Sequence, residues 1–221
     1  MHTRILLLAV VLLCLSGLNG FGQYSTHYYL QKSVFESLPD TEDGEVIFLG
    51  NSITAGGHWS ELFNDLKVKN RGISGDVTGG ILLRLDEVTG REPAKIFLLI
   101  GINDMAKGIP IDTICGNMAL IIQRVKQSSP GTDLFIQSVL PVNDEIGNQF
   151  HGHKKKAEDV TIVNTRLKKM ATENGLVYVD LNTAFSDSNG KLNALYTNDG
   201  LHINGAGYQH WKSLVEKYVY E

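Results

Sequence analysis

Five short apolar segments, each followed by a loop rich in glycine and polar residues, constrain the fold of this 221-residue chain more than any other feature. The apolar residues within each segment are continuous rather than alternating, which is typical of strands buried on both faces of a parallel sheet. The weakest segment, residues 67–70, is predicted mainly from its position between stronger elements. The predicted strands cover residues 45–49, 67–70, 95–100, 134–139 and 176–179.

Segments with helical spacing of apolar residues lie between these strands. They predict helices over residues 28–38, 77–87, 112–127, 154–174 and 206–220. Strands that alternate with helices form right-handed βαβ units, so we expect an α/β fold with a doubly wound sheet of five parallel strands. No linker rich in Pro or Ser and no shift in charge divides the chain. Residues 23–221 are therefore predicted to form a single domain.

Residues 1–22 have the pattern of a secretory signal peptide. Arg4 precedes an unbroken apolar run over residues 5–15, and small residues follow it. A membrane anchor is the alternative, but this run is shorter than the ~20 apolar residues that span a bilayer. We expect export to the periplasm or the extracellular space, without stable insertion into a membrane. Cys14 would leave with the signal, and Cys115 alone cannot form an intramolecular disulfide.

Several classes of partner are disfavoured by the sequence. Lys plus Arg number 20 against 24 Asp plus Glu, so no basic excess is present to neutralise the phosphates of a nucleic acid. His151 and His153, even with His58, are an incomplete ligand set for zinc. We expect no metal and no cofactor.

Polar residues follow the first three predicted strands, at the point where each strand ends. These loops are residues 50–54 (GNSIT), 70–76 (NRGISGD) and 101–104 (GIND), and residues 198–202 (NDGLH) precede the last predicted helix. The carboxyl ends of parallel strands meet at one edge of a sheet, where ligands of such folds bind. We therefore expect the four segments to converge on one crevice.

The side chains in that crevice suit acyl transfer. The Ser52 hydroxyl needs a base to take its proton, and His202 is a base suited to neutral pH. Asp199 precedes His202 by three residues and can hold its imidazole in one tautomer. The N–H groups of Ser52 and Gly72 and the amide of Asn103 are candidate donors to an oxyanion. Taken singly, each of these residues is also explained as a helix cap or a turn former.

The four segments resemble, in order and in position, the motifs of the SGNH hydrolase superfamily, also called GDSL esterases/lipases. The resemblance covers residues 44–220 and is nearest to bacterial relatives of the platelet-activating-factor acetylhydrolase subunits. It implies a three-layer α/β/α, flavodoxin-like sandwich with five parallel strands at its centre. It also implies that Ser52 is the nucleophile, His202 the base and Asp199 its orienting acid, with Ser52, Gly72 and Asn103 as oxyanion donors. Asn51 stands where the family name has aspartate, which leaves the geometry of that loop open.

The sequence says less about the substrate. No long apolar lid is present, so an open site for a short acyl group is expected. Asn51, Trp59, Asp76 and Asn143 are the candidate substrate-binding residues, because they lie in or near the loops at the strand ends. We expect an exported serine esterase that acts on short-acyl, above all acetyl, esters of carbohydrates. The alternatives are a lysophospholipase or thioesterase of the same fold, and a catalytically silent carbohydrate-binding domain.

Overall fold

A computed structural model describes residues 24–39 and 43–221 of the chain. Its centre is a five-stranded sheet with the order β2-β1-β3-β4-β5, in which every neighbouring pair is parallel. The predicted α/β fold with five parallel strands is therefore confirmed. The strands are β1 (Val46–Gly50), β2 (Val68–Gly72), β3 (Lys95–Leu99), β4 (Asp133–Gln137) and β5 (Val177–Val179).

Ten α-helices and one 3₁₀ turn connect and cover these strands in the described part of the chain. Helices α4, α6 and α8 pack side by side on one face, and α3 contacts α10 on the other, which gives three layers. In chain order the helices are α1 (Thr26–Ser37), α2 (Ser52–Ala55), α3 (Trp59–Phe63), α4 (Thr78–Thr89), α5 (Ile102–Ala106), α6 (Ile111–Ser128), α7 (His151–Lys154), α8 (Ala157–Glu173), α9 (Leu181–Phe185) and α10 (Gly205–Tyr220); the 3₁₀ turn is Ala194–Tyr196.

Aromatic side chains in register across the sheet form the centre of the core. Phe48, Phe97 and Phe135 lie opposite one another on β1, β3 and β4, with ring centroids 4.9 and 4.5 Å apart. Trp59 stacks on Phe48 at 3.8 Å, and the edge of Trp211 from α10 meets Trp59 at 4.8 Å. Large aromatic groups bury much apolar area, so this stack fixes how α3 and α10 lie on the sheet.

The structure departs from the predicted helices in two ways. The helix predicted over residues 154–174 begins only at Ala157, because the chain turns at Lys155 and Lys156 after the separate short helix α7. The short helices α2, α3, α5 and α9 were not predicted, since each has only four or five residues. A segment that short does not complete a helical pattern of apolar residues.

The predicted signal peptide, residues 1–22, lies outside the described residues. Within residues 24–39 and 43–221, no helix has both the length and the apolar character needed to cross a bilayer.

Candidate active site

Ser52 is the first residue of α2, directly beyond the end of β1. The Asn51 side chain caps this helix by accepting a hydrogen bond from the Ile53 N–H at 3.0 Å. At Gly50 a Cβ atom would lie 2.3 Å from both the Leu99 carbonyl oxygen and Thr54 Oγ1, so only glycine fits this close approach. The strand end and the cap thus fix where the Ser52 hydroxyl points.

The Ser52 hydroxyl reaches a histidine from the far end of the chain. Ser52 Oγ lies 3.0 Å from His202 Nε2, and His202 Nδ1 lies 2.8 Å from Asp199 Oδ2. The other Asp199 oxygen, Oδ1, accepts the backbone N–H groups of Leu201 and His202 at 2.9 and 2.8 Å. The three side chains predicted from the sequence therefore form one continuous hydrogen-bonded chain.

A compact turn presents Asp199 and His202 together. Thr197 pairs with Ile203 in an antiparallel bridge, and the Thr197 hydroxyl donates to the His202 carbonyl oxygen at 2.7 Å. Gly200 has φ +81°, and a Cβ there would lie 2.0 Å from the Asn143 carbonyl oxygen. A positive φ and a close backbone approach both require glycine, so the geometry specifies glycine between Asp199 and His202.

The Asp199 carboxylate is stabilised in its ionised form. Partial burial alone would raise its pKa, but the hydrogen bonds from the His202 side chain and from the N–H groups of Leu201 and His202 outweigh it, and the pKa lies below its ordinary value. An ionised carboxylate at Nδ1 holds the histidine proton there and leaves Nε2 free to accept a proton from the Ser52 hydroxyl. The arrangement can therefore raise the nucleophilicity of a serine.

Asn103 lies in the first turn of α5, directly beyond β3. Its Nδ2 donates to the Asp76 carbonyl oxygen at 2.8 Å, and its Oδ1 lies 3.0 Å from His153 Nε2. A side-chain amide has two N–H groups. One remains available to a ligand after the bond to Asp76, as the predicted oxyanion role requires.

The prediction of Gly72 as an oxyanion donor is corrected by the structure. The Gly72 N–H already donates to Asn70 Oδ1 at 2.8 Å. A Cβ at Gly72 would lie 2.2 Å from the Ala55 nitrogen and 2.8 Å from the Asn51 carbonyl oxygen. Gly72 is therefore glycine because β2 packs tightly against α2.

Gly75, three residues later, is the better candidate donor. It is exposed, has φ +80°, and has no atom within 4 Å of the position of a Cβ. Its N–H makes no hydrogen bond to any of the described residues. The next residue, Asp76, supplies the carbonyl oxygen that holds Asn103. Gly75 could not be preferred over Gly72 from the sequence, because the sequence shows neither the φ of Gly75 nor the hydrogen bond that the Gly72 N–H already makes.

Two predicted substrate contacts, Trp59 and Asn51, belong to the scaffold. Trp59 is only 1 % exposed, stacks on Phe48, and donates through Nε1 to the Thr54 carbonyl oxygen at 2.8 Å. Asn51 is fully buried beneath the serine loop that it caps. Neither side chain is accessible to a substrate, so both predictions are wrong.

Asp76 and Asn143 are likewise occupied within the protein. Asp76 is 1 % exposed and its Oδ2 accepts from Arg84 Nε at 2.9 Å. Asn143 donates to the Leu192 carbonyl oxygen at 2.9 Å and accepts the Glu145 N–H at 3.0 Å. Buried polar groups must satisfy their hydrogen bonds internally. These two residues do so, and their predicted binding of substrate hydroxyls is also wrong.

The segment around α7 contacts the site in ways that were not predicted. The Phe150 ring packs edge-on against His202 with centroids 4.9 Å apart. Lys154 is 3 % exposed and donates to the carbonyl oxygens of Ile146 and Gly147 at 2.7 and 2.8 Å. The histidines of this segment stand out in the sequence only as a partial metal motif. Within the described ranges, no group of three or more His, Cys, Asp or Glu residues is placed to hold a metal ion.

This chain is similar in sequence to a known family and to named proteins. Residues 48–210 match the model of the GDSL-like Lipase/Acylhydrolase family. The rat platelet-activating factor acetylhydrolase IB subunit alpha2 is 27 % identical over 173 residues, which cover 76 % of this chain and 72 % of the rat protein.

Solved structures are similar over most of the chain. A Streptococcus pneumonia protein, provisionally described as a platelet activating factor, is 31 % identical and superposes with a TM-score of 0.82, covering 97 % of this chain and 99 % of the other. An acetylxylan esterase from Geobacillus stearothermophilus shares the fold at 18 % identity and a TM-score of 0.63, covering 81 % and 96 %. The chain belongs to the GDSL-like lipase/acylhydrolase family, whose members hydrolyse esters.

Proposed function

We propose that this protein is a serine esterase that works through an acyl-serine intermediate on Ser52. The observation that carries the proposal is the unbroken chain from Ser52 Oγ through His202 to Asp199, with links of 3.0 and 2.8 Å. Ser52 Oγ attacks the ester carbonyl carbon while its proton passes to His202 Nε2. The imidazolium returns the proton to the departing alcohol. Water then attacks the acyl-serine by the same route and releases the acid.

The negative oxygen of each tetrahedral intermediate needs donors fixed in place before the reaction. We assign this role to the N–H groups of Ser52 and Gly75 and to the remaining Nδ2–H of Asn103. Ser52 lies at the end of β1, Gly75 in the loop after β2, and Asn103 after β3. Since β1 lies between β2 and β3, Gly75 and Asn103 lie on opposite sides of Ser52.

A short acyl group, above all acetyl, is the substrate feature that we propose next. The rat relative is named as an acetylhydrolase and the Geobacillus protein as an acetylxylan esterase. Phe150 lies against His202 and narrows the space beside the base. This arrangement favours a small acyl group over a long chain.

Carbohydrate is the alcohol that we propose. A groove of about 380 Å³ lies between α1 and the loop after β2, where it is lined in part by His27, Gln31 and Ser74. Its wall also includes Ala55, which is on the same face of α2 as Ser52 because the two are three residues apart. Side chains that can donate and accept hydrogen bonds suit sugar hydroxyls.

The first experiment compares p-nitrophenyl esters from acetate to laurate with the wild-type protein, Ser52→Ala and the control Ser60→Ala. We expect turnover of acetate that is lost in Ser52→Ala and unchanged in Ser60→Ala. A preference for laurate would favour a lysophospholipase or thioesterase. Absence of Ser52-dependent turnover of these esters and of acetylated oligosaccharides would favour a silent binding domain.

The carbohydrate proposal needs its own test. Acetylated xylo-oligosaccharides are supplied to His27→Ala and Gln31→Ala, with Lys32→Ala on the same helix as control. We expect a KM several-fold higher for the oligosaccharides in the first two variants, and unchanged kinetics with p-nitrophenyl acetate. Equal kinetics of all variants on both substrates would contradict binding of the sugar in this groove.

Export completes the proposed function, on the strength of the apolar run over residues 5–15 that follows Arg4. Expression of the full chain in a Gram-negative host, followed by fractionation and N-terminal sequencing, tests it. We expect a periplasmic protein that begins near residue 23. A cytoplasmic protein with its N-terminus intact would contradict export.

A further inference from the structure

His153 contacts the amide that is assigned to the oxyanion. His153 Nε2 lies 3.0 Å from Asn103 Oδ1. The orientation of this amide is fixed by its other bond, because Asn103 Nδ2 donates to the Asp76 carbonyl oxygen at 2.8 Å. A flipped amide would bring two acceptor oxygens together. Oδ1 therefore faces His153, and since Oδ1 can only accept, His153 Nε2 must carry the proton.

The surroundings of His153 favour its neutral form. Burial lowers the pKa of His153, and the nearby His202 and Lys107 lower it further. A neutral imidazole has a single N–H, and here that N–H is committed to Asn103. His153 is thus placed as a fixed hydrogen-bond donor.

The backbone holds His153 at a local cost. Phe150, the residue before α7, has φ +58°, a left-handed conformation that is strained for a bulky side chain. With this backbone its ring meets the edges of both histidines, His202 at 4.9 Å and His153 at 5.9 Å. Such strain is concentrated at functional sites. The same short segment therefore contacts the base and the support of the oxyanion donor.

We propose that His153 is a positioning residue that acts through Asn103, holding its amide so that the free Nδ2–H points at the developing oxyanion. Donation to Oδ1 also polarises the amide and strengthens its remaining N–H as a donor, as happens in chains of hydrogen bonds. The oxyanion forms only in the transition state, so the contribution appears in kcat rather than in KM. This inference rests on the proposed esterase function.

A double-mutant cycle tests the proposal. His153→Leu keeps an apolar side chain against Phe150 but cannot donate a hydrogen bond to Asn103. In His153→Gln the side-chain Nε2 is as many bonds from Cβ as in histidine, and it can still donate this hydrogen bond. With p-nitrophenyl acetate we expect His153→Leu to lower kcat on the order of tenfold and to change KM less than twofold. Residues of one hydrogen-bond network typically affect each other's contribution by roughly 2- to 150-fold, and this effect lies within that range. We expect His153→Gln to restore most of kcat.

The decisive arm is the Asn103→Ala background. There His153→Leu should have less than a twofold effect, because the amide through which it acts is gone. The control His151→Ala, an exposed histidine on the same short helix, should match the wild type. An equal loss in both backgrounds, or an effect confined to KM, would overturn the proposal and indicate direct contact with substrate. Wild-type protein without Ser52-dependent turnover would instead contradict the proposed function, and the inference would fall with it.

Discussion

At the scale of single residues, the hydrogen bonds that each atom already makes decide which role its residue can have in the site. Asp199 uses one oxygen for two backbone N–H groups and the other for His202 Nδ1. Since neither oxygen is free to rotate away, the imidazole is held in one orientation. Gly72 and Gly75 differ in the same respect. The Gly72 N–H already donates within the protein, whereas the Gly75 N–H has no partner among the described residues and can donate to an oxyanion.

Asp199→Asn should abolish most activity without unfolding the protein. The asparagine oxygen can keep the two backbone bonds, but its Nδ2 then faces His202 Nδ1 and donates to it. Such a donor favours the tautomer with the proton on Nε2, which cannot accept the Ser52 proton. We expect kcat on a short ester to fall about 10³- to 10⁴-fold with little change in KM. A loss below tenfold, with native circular dichroism, would contradict the role of Asp199.

Replacing Gly72, the last residue of β2, should destabilise the protein more than replacing Gly75 in the loop that follows. Gly72→Ala forces a methyl group to within 2.2 Å of backbone atoms, which we expect to lower the free energy of unfolding by about 3 kcal/mol. Gly75→Ala meets open space and carries only the cost of its positive φ, about 1–2 kcal/mol.

Urea unfolding measures both changes. Gly116→Ala serves as the control, because Gly116 lies within α6 with open space around it, and alanine there should stabilise the helix by up to about 1 kcal/mol. A smaller loss for Gly72→Ala than for Gly75→Ala would contradict the close packing of β2 on α2.

At the scale of elements, the strands were predictable and the short helices were not. Continuous apolar runs identify strands covered on both faces, and β1, β3 and β4 fall within one or two residues of their predicted bounds. Ser52 follows from the same reasoning, because it lies directly beyond the end of β1. Asp199 and His202 follow instead from their three-residue spacing and from the resemblance of their motif. Contacts that depend on burial could not be predicted. Trp59 follows the serine loop in sequence, yet its ring turns into the core and stacks on Phe48.

Helix α7 shows why a run of charges misleads. Residues 154–156 are three lysines in succession and predict a solvated helix start. Lys154 is instead buried, and its Nζ donates to the carbonyl oxygens of Ile146 and Gly147 and approaches that of Asp199 at 3.5 Å. A long side chain can place its ammonium group on carbonyl oxygens that no backbone N–H reaches, and such contacts depend on loop conformation.

Lys154→Met should therefore loosen the loops on either side of α7. Methionine fills a similar volume but leaves the carbonyl oxygens of Ile146 and Gly147 without this donor. We expect the free energy of unfolding to fall by about 2 kcal/mol, the cost of unsatisfied buried acceptors, and kcat to fall several-fold. The exposed neighbour Lys155→Met should change neither quantity. Identical melting temperatures for the two variants would show that Lys154 does not hold these loops.

At the scale of the whole molecule, a buried ion pair joins the loops of the candidate active site to the sheet. Arg84 is 2 % exposed and donates to Asp76 Oδ2, to the Gly50 carbonyl oxygen and to the Arg71 carbonyl oxygen. It thus connects the ends of β1 and β2 with the loop that carries Gly75. Because both charges are removed from water, their cost is part of the stability of the entire fold.

This pair makes stability depend on pH in an unusual direction. Burial raises the pKa of Asp76 from 3.8 to about 6, despite the opposing charge and hydrogen bond of Arg84. The folded protein therefore binds a proton here more tightly than the unfolded chain does. It follows that the contribution of Asp76 to the free energy of unfolding is present below pH 3.8 and is lost as the pH rises to about 6. His153 contributes with the opposite sign, because its lowered pKa makes stability fall as the pH drops below 6.5.

Comparison of the wild type with Asp76→Asn isolates the first contribution. Asparagine resembles the protonated acid, so the stability of the wild type relative to this variant should fall by about 2 kcal/mol between pH 4 and pH 7, most of the effect of a shift of about two pKa units. Urea unfolding at half-unit pH intervals measures this difference, and the same series with His153→Gln separates the opposing histidine contribution. If the attraction of Arg84 outweighed the loss of hydration, the relative stability would instead rise with pH. That result would show that Arg84 stabilises the ionised form of Asp76, and that this ion pair stabilises the loop that contains Gly75.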